Sequence, residues 1–415
     1  MSNVAGAQHE RPCVLLVGAL DTKGPEFEFL RSEGLRLGCD VLLLDVGVLG
    51  APAVLADFPR EAVADAAGAE LGALVSTGDR SVAVSAMARG AARLAAALAD
   101  EGRIDGVIGA GGSNAAYVMA RVSERLDVGF PKVLVSTMAS GDTARYVGST
   151  DLTMMNSVVD VNGLNRVTRS VLGNAIHAVV GMVTSRVPDD GTDRPVAAIS
   201  MFGVTTPCAS RIASTLDAAG LEPLSFHANG AGGRSLEALA GSGAIQVVVD
   251  MTTTELADEL FGGVCSAGPD RLTAAGRLGV PQVVSLGALD MINFGAAAAL
   301  PEHLRGRLWH EHNPEVTLVR TNAEECAELG GVLAARLNAA LGPRTVVVPA
   351  RGFSALSVPG EPFQDPHADR ALVDALLGAL DDDVTSVVLD VDINDPLVAD
   401  AMSRATLSLM EEARV

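Results

Sequence analysis

CVLLVGALDTKGP, residues 13–25, runs as a short apolar stretch ending at Gly18, then Asp21 and Thr22, then Lys23, Gly24 and Pro25. The apolar stretch reads as a buried strand. Asp21 or Thr22 can cap the helix that follows, with Pro25 near its first turn and Phe27, Leu30 and Leu35 turned toward a sheet. Working outward, strands are expected at 41–44, closed by Asp45, and at 74–76, 106–109 and Lys132–Ser136, with alanine-rich helices over 81–99 and 115–126 between them. Strand and helix alternating at this pace predict a right-handed parallel sheet that binds ligands at the carboxyl ends of its strands.

A helical pattern covers 158–183, and a polar stretch from Pro188 to Pro195 follows it, which places a domain boundary near residue 190. The alternation then restarts. A strand is expected over Val196–Met201, a turn at Gly203-Val204-Thr205-Thr206-Pro207, and strands at 221–226, 246–249, 282–285, 345–348 and 386–389. The second half opens on the plan of the first: Arg11-Pro12, strand, turn, helix, Gly38, strand matches Arg194-Pro195, strand, turn, helix, Gly220, strand. The fold class expected is α/β, with two doubly wound parallel-sheet domains over 1–190 and 191–415.

Composition agrees and excludes several functions. The 415 residues exceed what one hydrophobic core holds, and a chain that is 48% hydrophobic but only 3% aromatic must pack Ala, Val and Leu closely against glycine. No uninterrupted apolar stretch approaches the length of a membrane span, and the opening residues lack a cationic region followed by an apolar one, so a cytoplasmic protein that avoids membranes is expected. The five cysteines are odd in number and widely spaced, as expected of reduced thiols. A net charge of −21 with no basic run argues against nucleic-acid polymers, whereas a single nucleotide needs only a few amides and one or two cations. Lys23 and Lys132 are the only lysines among thirty basic residues, which singles them out as functional candidates.

In the first half, Gly109-Ala110-Gly111-Gly112-Ser113-Asn114 follows a strand and opens a helix. Glycines there let backbone approach an anion, and the unsatisfied amides of the helix start then favour phosphate. Three other strand ends carry compatible chemistry: Asp21 to Gly24, Ser76-Thr77-Gly78-Asp79, and Ser136 to Asp142, with Thr137, Ser140 and Gly141 as donors. Lys23 can neutralise phosphate, and Asp21 or Asp142 can hold Mg2+. The plainer reading is that the hydroxyls cap helices and the glycines let helix and sheet close together. No P-loop sequence is present.

In the second half, His227 precedes the flexible turn Asn229 to Gly233 and Arg234, a combination able to place a general acid or base beside an oxyanion site. Asp250 and Glu255 flank three threonines after an apolar strand, and Asp290 follows Gly287-Ala288-Leu289. These make His227, Asp250, Glu255 and Asp290 the catalytic candidates, convergent on one crevice. Against this, Asp250 can cap a helix, Asp290 can satisfy loop amides, and a lone histidine is often hydrogen-bonded filler. His310 and His312 are spaced for one side of an extended strand, without a third metal ligand.

Several longer stretches carry a family likeness: Asp21-Thr22-Lys23-Gly24; Tyr146 to Ser149 leading to Met154 through Asp160; Gly203 to Pro207; Phe226 to Glu237; Asp250 to Glu255; Gly287 to Phe294; His312-Asn313-Pro314; and Arg320 to Glu325. In these the chain resembles the plant tobamovirus-resistance-protein (Tm-one) like ATP-binding family. That resemblance implies two Rossmann-like domains, ATP bound in the amino-terminal one, and a homodimer. Carried over by position, the nucleotide contacts fall on Asp21, Thr22, Lys23, Gly24, Gly111, Gly112 and Ser113. The chain departs from the family pattern at Asn114-Ala115-Ala116, where further glycine and threonine are usual, implying fewer or rearranged phosphate contacts. Asn229 departs from a usual threonine.

Together these readings predict an ATP-dependent enzyme, with Mg2+ accompanying ATP, acting on a small molecule near the second domain's strand ends. The alternatives are a nucleotide-binding module without chemistry that regulates a partner or assembly, and an ATP-independent lyase or hydrolase centred on His227.

Overall fold

The computed structural model describes residues 11–185 and 194–413. The opening residues read for a targeting signal, and the boundary near residue 190, lie outside the described residues. The chain divides into two compact units, Met1–Asp190 and Gly191–Val415.

The first unit contains, in order, β1 (Cys13–Gly18), α1 (Leu20–Arg36), β2 (Asp40–Asp45), α2 (Arg60–Ala66), α3 (Leu71–Ser76), α4 (Arg80–Asp100), β3 (Gly106–Gly111), α5 (Ser113–Ser123), β4 (Lys132–Ser136), α6 (Ala144–Val147), β5 (Thr153–Asn156) and α7 (Arg166–Thr184). Its strands form one parallel sheet in the order β2-β1-β3-β4-β5. Alternation along β1 assigns the two layers, because successive side chains point to opposite faces. Val14 and Leu16 pack with Phe27 and Leu30 of α1 and Leu172 and Ile176 of α7. Leu15 and Val17 pack with Ala83, Met87 and Ala91 of α4 and Val118 of α5. Buried on both faces, the central strands need the continuous apolar runs that the sequence displays.

The second unit contains β6 (Val196–Met201), α8 (Thr206–Ala218), β7 (Glu222–His227), α9 (Ala231–Gly241), β8 (Val247–Thr252), α10 (Glu255–Phe261), α11 (Ala274–Arg277), β9 (Gln282–Gly287), β10 (Met291–Phe294), β11 (Trp309–Asn313), β12 (Val316–Arg320), α12 (Ala323–Asn338), β13 (Arg344–Pro349), α13 (Pro366–Ala379), β14 (Thr385–Leu389) and α14 (Pro396–Glu412). Its main sheet is parallel, in the order β14-β13-β9-β8-β6-β7, and a separate antiparallel sheet is ordered β10-β12-β11. Both units are therefore Rossmann-like doubly wound α/β domains.

Several sequence expectations are corrected. Residues 74–76 belong to helix α3, because a short apolar run has no period long enough to separate strand from helix. Ala19, without a side-chain cap, begins α1 in place of Asp21 or Thr22. Leu35 is exposed. The helical pattern over 158–183 holds only from Arg166, and strand β5 precedes it. The antiparallel sheet was not anticipated, although the spacing of His310 and His312 fits their place on β11. Among the described residues one helix, α4, is long and apolar enough by composition to cross a membrane; its buried alanines and Met87 pack in the core above.

Candidate functional site

Strand order places the first unit's binding position. The chain winds from β1 to β2 on one side and continues through β3, β4 and β5 on the other, so the direction reverses between β1 and β3. Connections leave the adjacent strand ends in opposite directions there and open a crevice. A cleft of about 340 Å³ lies at this point, lined by Val17 to Ala19, Asp21 to Lys23, Val46 to Leu49, Arg80, Val84, Met87, Ala110 to Ala115, Val118 and Asp160.

The cleft floor is the turn from β3 into α5. Gly111 has φ +147, a conformation that L side chains rarely adopt, and a side chain placed at Gly112 would meet nothing within 4 Å. No side chain caps α5, so its first amides face the cleft. Lys23 also lines the cleft; it is the one residue of α1 with non-helical dihedrals, φ −126 and ψ 18, two positions before Pro25. Pro25 has no amide to give the helix, and the kink turns Lys23 to the cleft. Arg80 at the first turn of α4 adds a second cation.

Carboxylates shape the rim. Buried Asp45, at the end of β2, accepts from Leu20 N (2.9 Å) and Gly47 N (2.8 Å) and so ties the β1–α1 turn to the β2 loop. Burial, opposed by those two amides and reinforced by the charge of Asp21, raises its pKa. Asp21 Oδ2 accepts from Leu49 N (2.7 Å) and Gly50 N (3.1 Å), while its Oδ1 is buried without a partner. Among the described residues no group of three or more His, Cys, Asp and Glu forms a metal site. A magnesium ion travelling with a nucleotide needs one or two carboxylates besides phosphate oxygens, and the unspent Asp21 oxygen fits that need.

The structure brings Asp21, Thr22, Lys23, Gly111, Gly112 and Ser113 to this cleft. Gly24 is instead buried in packing: a Cβ there would lie 2.6 Å from Ala53 Cβ. Thr137, Ser140, Gly141 and Asp142 follow β4, one strand farther on, and do not line the cleft. Their polar groups are used locally, with Ser140 Oγ donating to Thr137 O (3.1 Å), Gly141 N to Met138 O (3.3 Å) and Ala144 N to Asp142 Oδ1 (3.0 Å). Of the two lysines, Lys132 is buried, its Nζ bound by Asp127 O (2.6 Å), Phe130 O (3.0 Å) and Asp151 (2.6 Å). Arg80 and Asp160 in the cleft were not singled out in the sequence, because each is brought there by packing rather than by a local motif.

The second unit's four candidates do not meet in one crevice. Asp250 and Glu255 are fully buried on Arg271: its Nε donates to Glu255 Oε2 at 2.6 Å, both terminal nitrogens bind Asp250, and one also reaches Glu237 at 3.2 Å. Glu255 Oε1 also accepts from Gly230 N (2.7 Å) and Gly233 N (3.0 Å). The glycine turn expected to receive an oxyanion is thus occupied by the protein's own carboxylate. Asp290 is buried elsewhere, accepting from Ser354 Oγ (2.6 Å), and burial raises its pKa against the nearby charge of Arg320. His227 is exposed and stacked on Phe202, with ring centroids 5.3 Å apart.

Comparison with known proteins places both units. The profile described as the N-terminal domain of the Uncharacterised protein family UPF0261 matches residues 12–188, and that of its C-terminal domain matches 194–410. A UPF0261 protein of Clostridium tetani is 40% identical over 96% of this chain and 99% of its own length. One from Rhizobium meliloti is 43% identical over 94% and 96%. The ToMV resistance protein Tm-1 of Solanum lycopersicum is 35% identical over 99% of this chain, which spans 57% of that longer protein. Among solved structures, a UDP-N-acetylglucosamine 2-epimerase from Rickettsia bellii aligns over 97% of the chain at 10% identity with a TM-score of 0.22, too distant to carry an argument. With both its units matched in order and the two bacterial relatives alike over almost their whole length, the chain belongs to the UPF0261 family.

Proposed function

We propose that the amino-terminal unit binds ATP with Mg2+ in the cleft between the ends of β1 and β3, in a cytoplasmic, homodimeric protein. The observation that carries this reading is the joining, at the sheet's switch point, of the uncapped start of α5 with Lys23 and Arg80. In a molecule of net charge −21, a pocket with two cations and free amides is matched to a compact polyanion. The apolar lining of Val46, Val48, Leu49, Val84, Met87 and Val118 suits the flat face of a nucleobase. Asp21 would hold the accompanying magnesium ion, which neutralises phosphate charge. The five cysteines are all free thiols, as a reducing compartment requires.

The use made of the nucleotide divides into two readings. An ATP-dependent reaction on a small molecule would draw on His227, the exposed member of the second unit's candidates. Use of ATP to set conformation or assembly without chemistry is favoured by the burial of Asp250, Glu255 and Asp290, the first two held on Arg271.

Calorimetry with Mg2+ and ATP tests the binding. The wild-type chain is expected to release heat on titration, and Lys23→Ala to weaken ATP by about tenfold to hundredfold, the worth of one charge-assisted hydrogen bond. Unchanged affinity in Lys23→Ala would remove Lys23 from the site. Substrate-dependent ATP turnover abolished by His227→Ala would select the enzyme, whereas ATP-linked stabilisation unchanged in His227→Ala, with no product, would select the module.

A further inference from the structure

The turn that opens α5 continues into Asn114, whose amide does not have to contact a ligand to matter. In the amide orientation assigned from its hydrogen-bonding neighbours, Asn114 Oδ1 accepts from Arg80 Nη2 at 3.0 Å and Nε at 3.1 Å. Two N–H groups converging on one oxygen orient the guanidinium and remove part of the side-chain freedom that an exposed arginine otherwise loses on binding. Arg80 Nη1 has no protein partner among the described residues, and Arg80 lines the cleft together with Gly111, Gly112 and Ser113. Position on the chain makes the arrangement possible. Asp79 caps α4 through Ser81 N (2.8 Å) and Val82 N (3.2 Å), so Arg80 is held at a fixed helix start rather than on a loose loop.

We infer that Arg80, positioned by Asn114, is the second phosphate-binding cation of this cleft and selects nucleoside di- and triphosphates over monophosphates. This rests on the nucleotide reading above. One phosphate is satisfied by the amides of α5 and a single cation; a second, pre-oriented cation is matched to a ligand with further phosphate oxygens. Asn114 is then a positioning residue, replacing with an oriented arginine the contacts that a longer run of glycine and threonine would supply from the turn itself.

The test is titration of the full chain with ATP, ADP and AMP in the presence of Mg2+, on the wild type, Arg80→Gln, Arg80→Lys, Asn114→Ala and the double variant Arg80→Gln with Asn114→Ala. Circular dichroism confirms that each is folded. The expected results are a wild-type order of ATP and ADP above AMP, and a loss in Arg80→Gln of about tenfold to hundredfold for ATP with AMP changed less than about threefold. Arg80→Lys should recover only part of the loss, since an ammonium cannot present the fixed pair of Nε and Nη donors to Asn114 Oδ1. Asn114→Ala should lose about threefold to tenfold for ATP and add nothing on top of Arg80→Gln, because it acts through that residue. Equal losses for all three nucleotides, no loss in Arg80→Gln, or additive losses in the double variant would overturn the inference while leaving nucleotide binding intact. A wild-type chain that binds none of the three overturns both.

Discussion

Asp258 accepts from Asn293 N (2.6 Å), Asn293 Nδ2 (2.9 Å) and Cys265 N (2.9 Å), yet burial outweighs these donors and pushes its pKa from 3.8 to about 7. The folded chain therefore holds this proton more tightly than the unfolded chain does. Its stabilising share is complete below about pH 4 and is lost as pH rises through 7. Asp369, raised by burial to about 6, acts in the same direction. Thermal unfolding is accordingly expected to shift to lower temperature between pH 5 and pH 8, with a shallower decline in Asp258→Asn. An identical slope in that variant would show that Asp258 ionises normally. At this scale the sequence reached Lys23, Gly111 and Ser113 because their signal is local: a strand end, a glycine, a polar opening. Scarcity marks Lys23 and Lys132 alike; the strand-end motif favours Lys23, and the fold shows the Lys132 ammonium buried on carbonyls. The sequence could not reach the Arg80–Asn114 pair, whose members come from two helices.

The two halves open on one plan, strand, helix, glycine and strand. Gly38 and Gly220 both have φ +88, the left-handed turn that ends a helix and releases the next strand. Asp40 N donates to Pro12 O and Glu222 N to Pro195 O, each at 2.8 Å, so the same bond starts the second strand of each unit. This shared plan was legible from Arg-Pro, strand, helix, glycine and strand, because alternation and helix stops are local properties. What stayed hidden was the identity of short segments: α3 and β5 are each too brief to display a period, and the antiparallel strands lie within loops rich in polar residues. Alanine-rich helices also permit a close crossing. A Cβ on Gly90 of α4 would stand 1.9 Å from Val63 O in α2, contact that backbone relieves only by moving. Gly90→Ala should cost about 1–3 kcal/mol despite alanine's higher helix propensity, measured by denaturant unfolding. A neutral or stabilised variant would mean that α2 and α4 pack less tightly than described.

At the scale of the molecule, an excess of negative charge repels polyanions from a distance, and in the amino-terminal cleft Lys23 and Arg80 offset Asp21 and Asp160 beside the open amides of α5. The contrast between the units is instructive. At α5 the helix start is left free, whereas at α9 Glu255 already fills it, so two similar glycine turns have opposite capacity to take an anion. The sequence showed the glycines in both; only the fold shows which one is filled, because Glu255 reaches back from α10. The central proposal is thus one of place: a phosphate site at the β3–α5 turn. A crystal structure of the chain grown with Mg2+ and a non-hydrolysable ATP analogue measures this directly. The account predicts phosphate density within hydrogen-bond reach of the first amides of α5 and of Lys23; density for the analogue at any other strand end, or an unfilled β1–β3 cleft at saturating ligand, would contradict it.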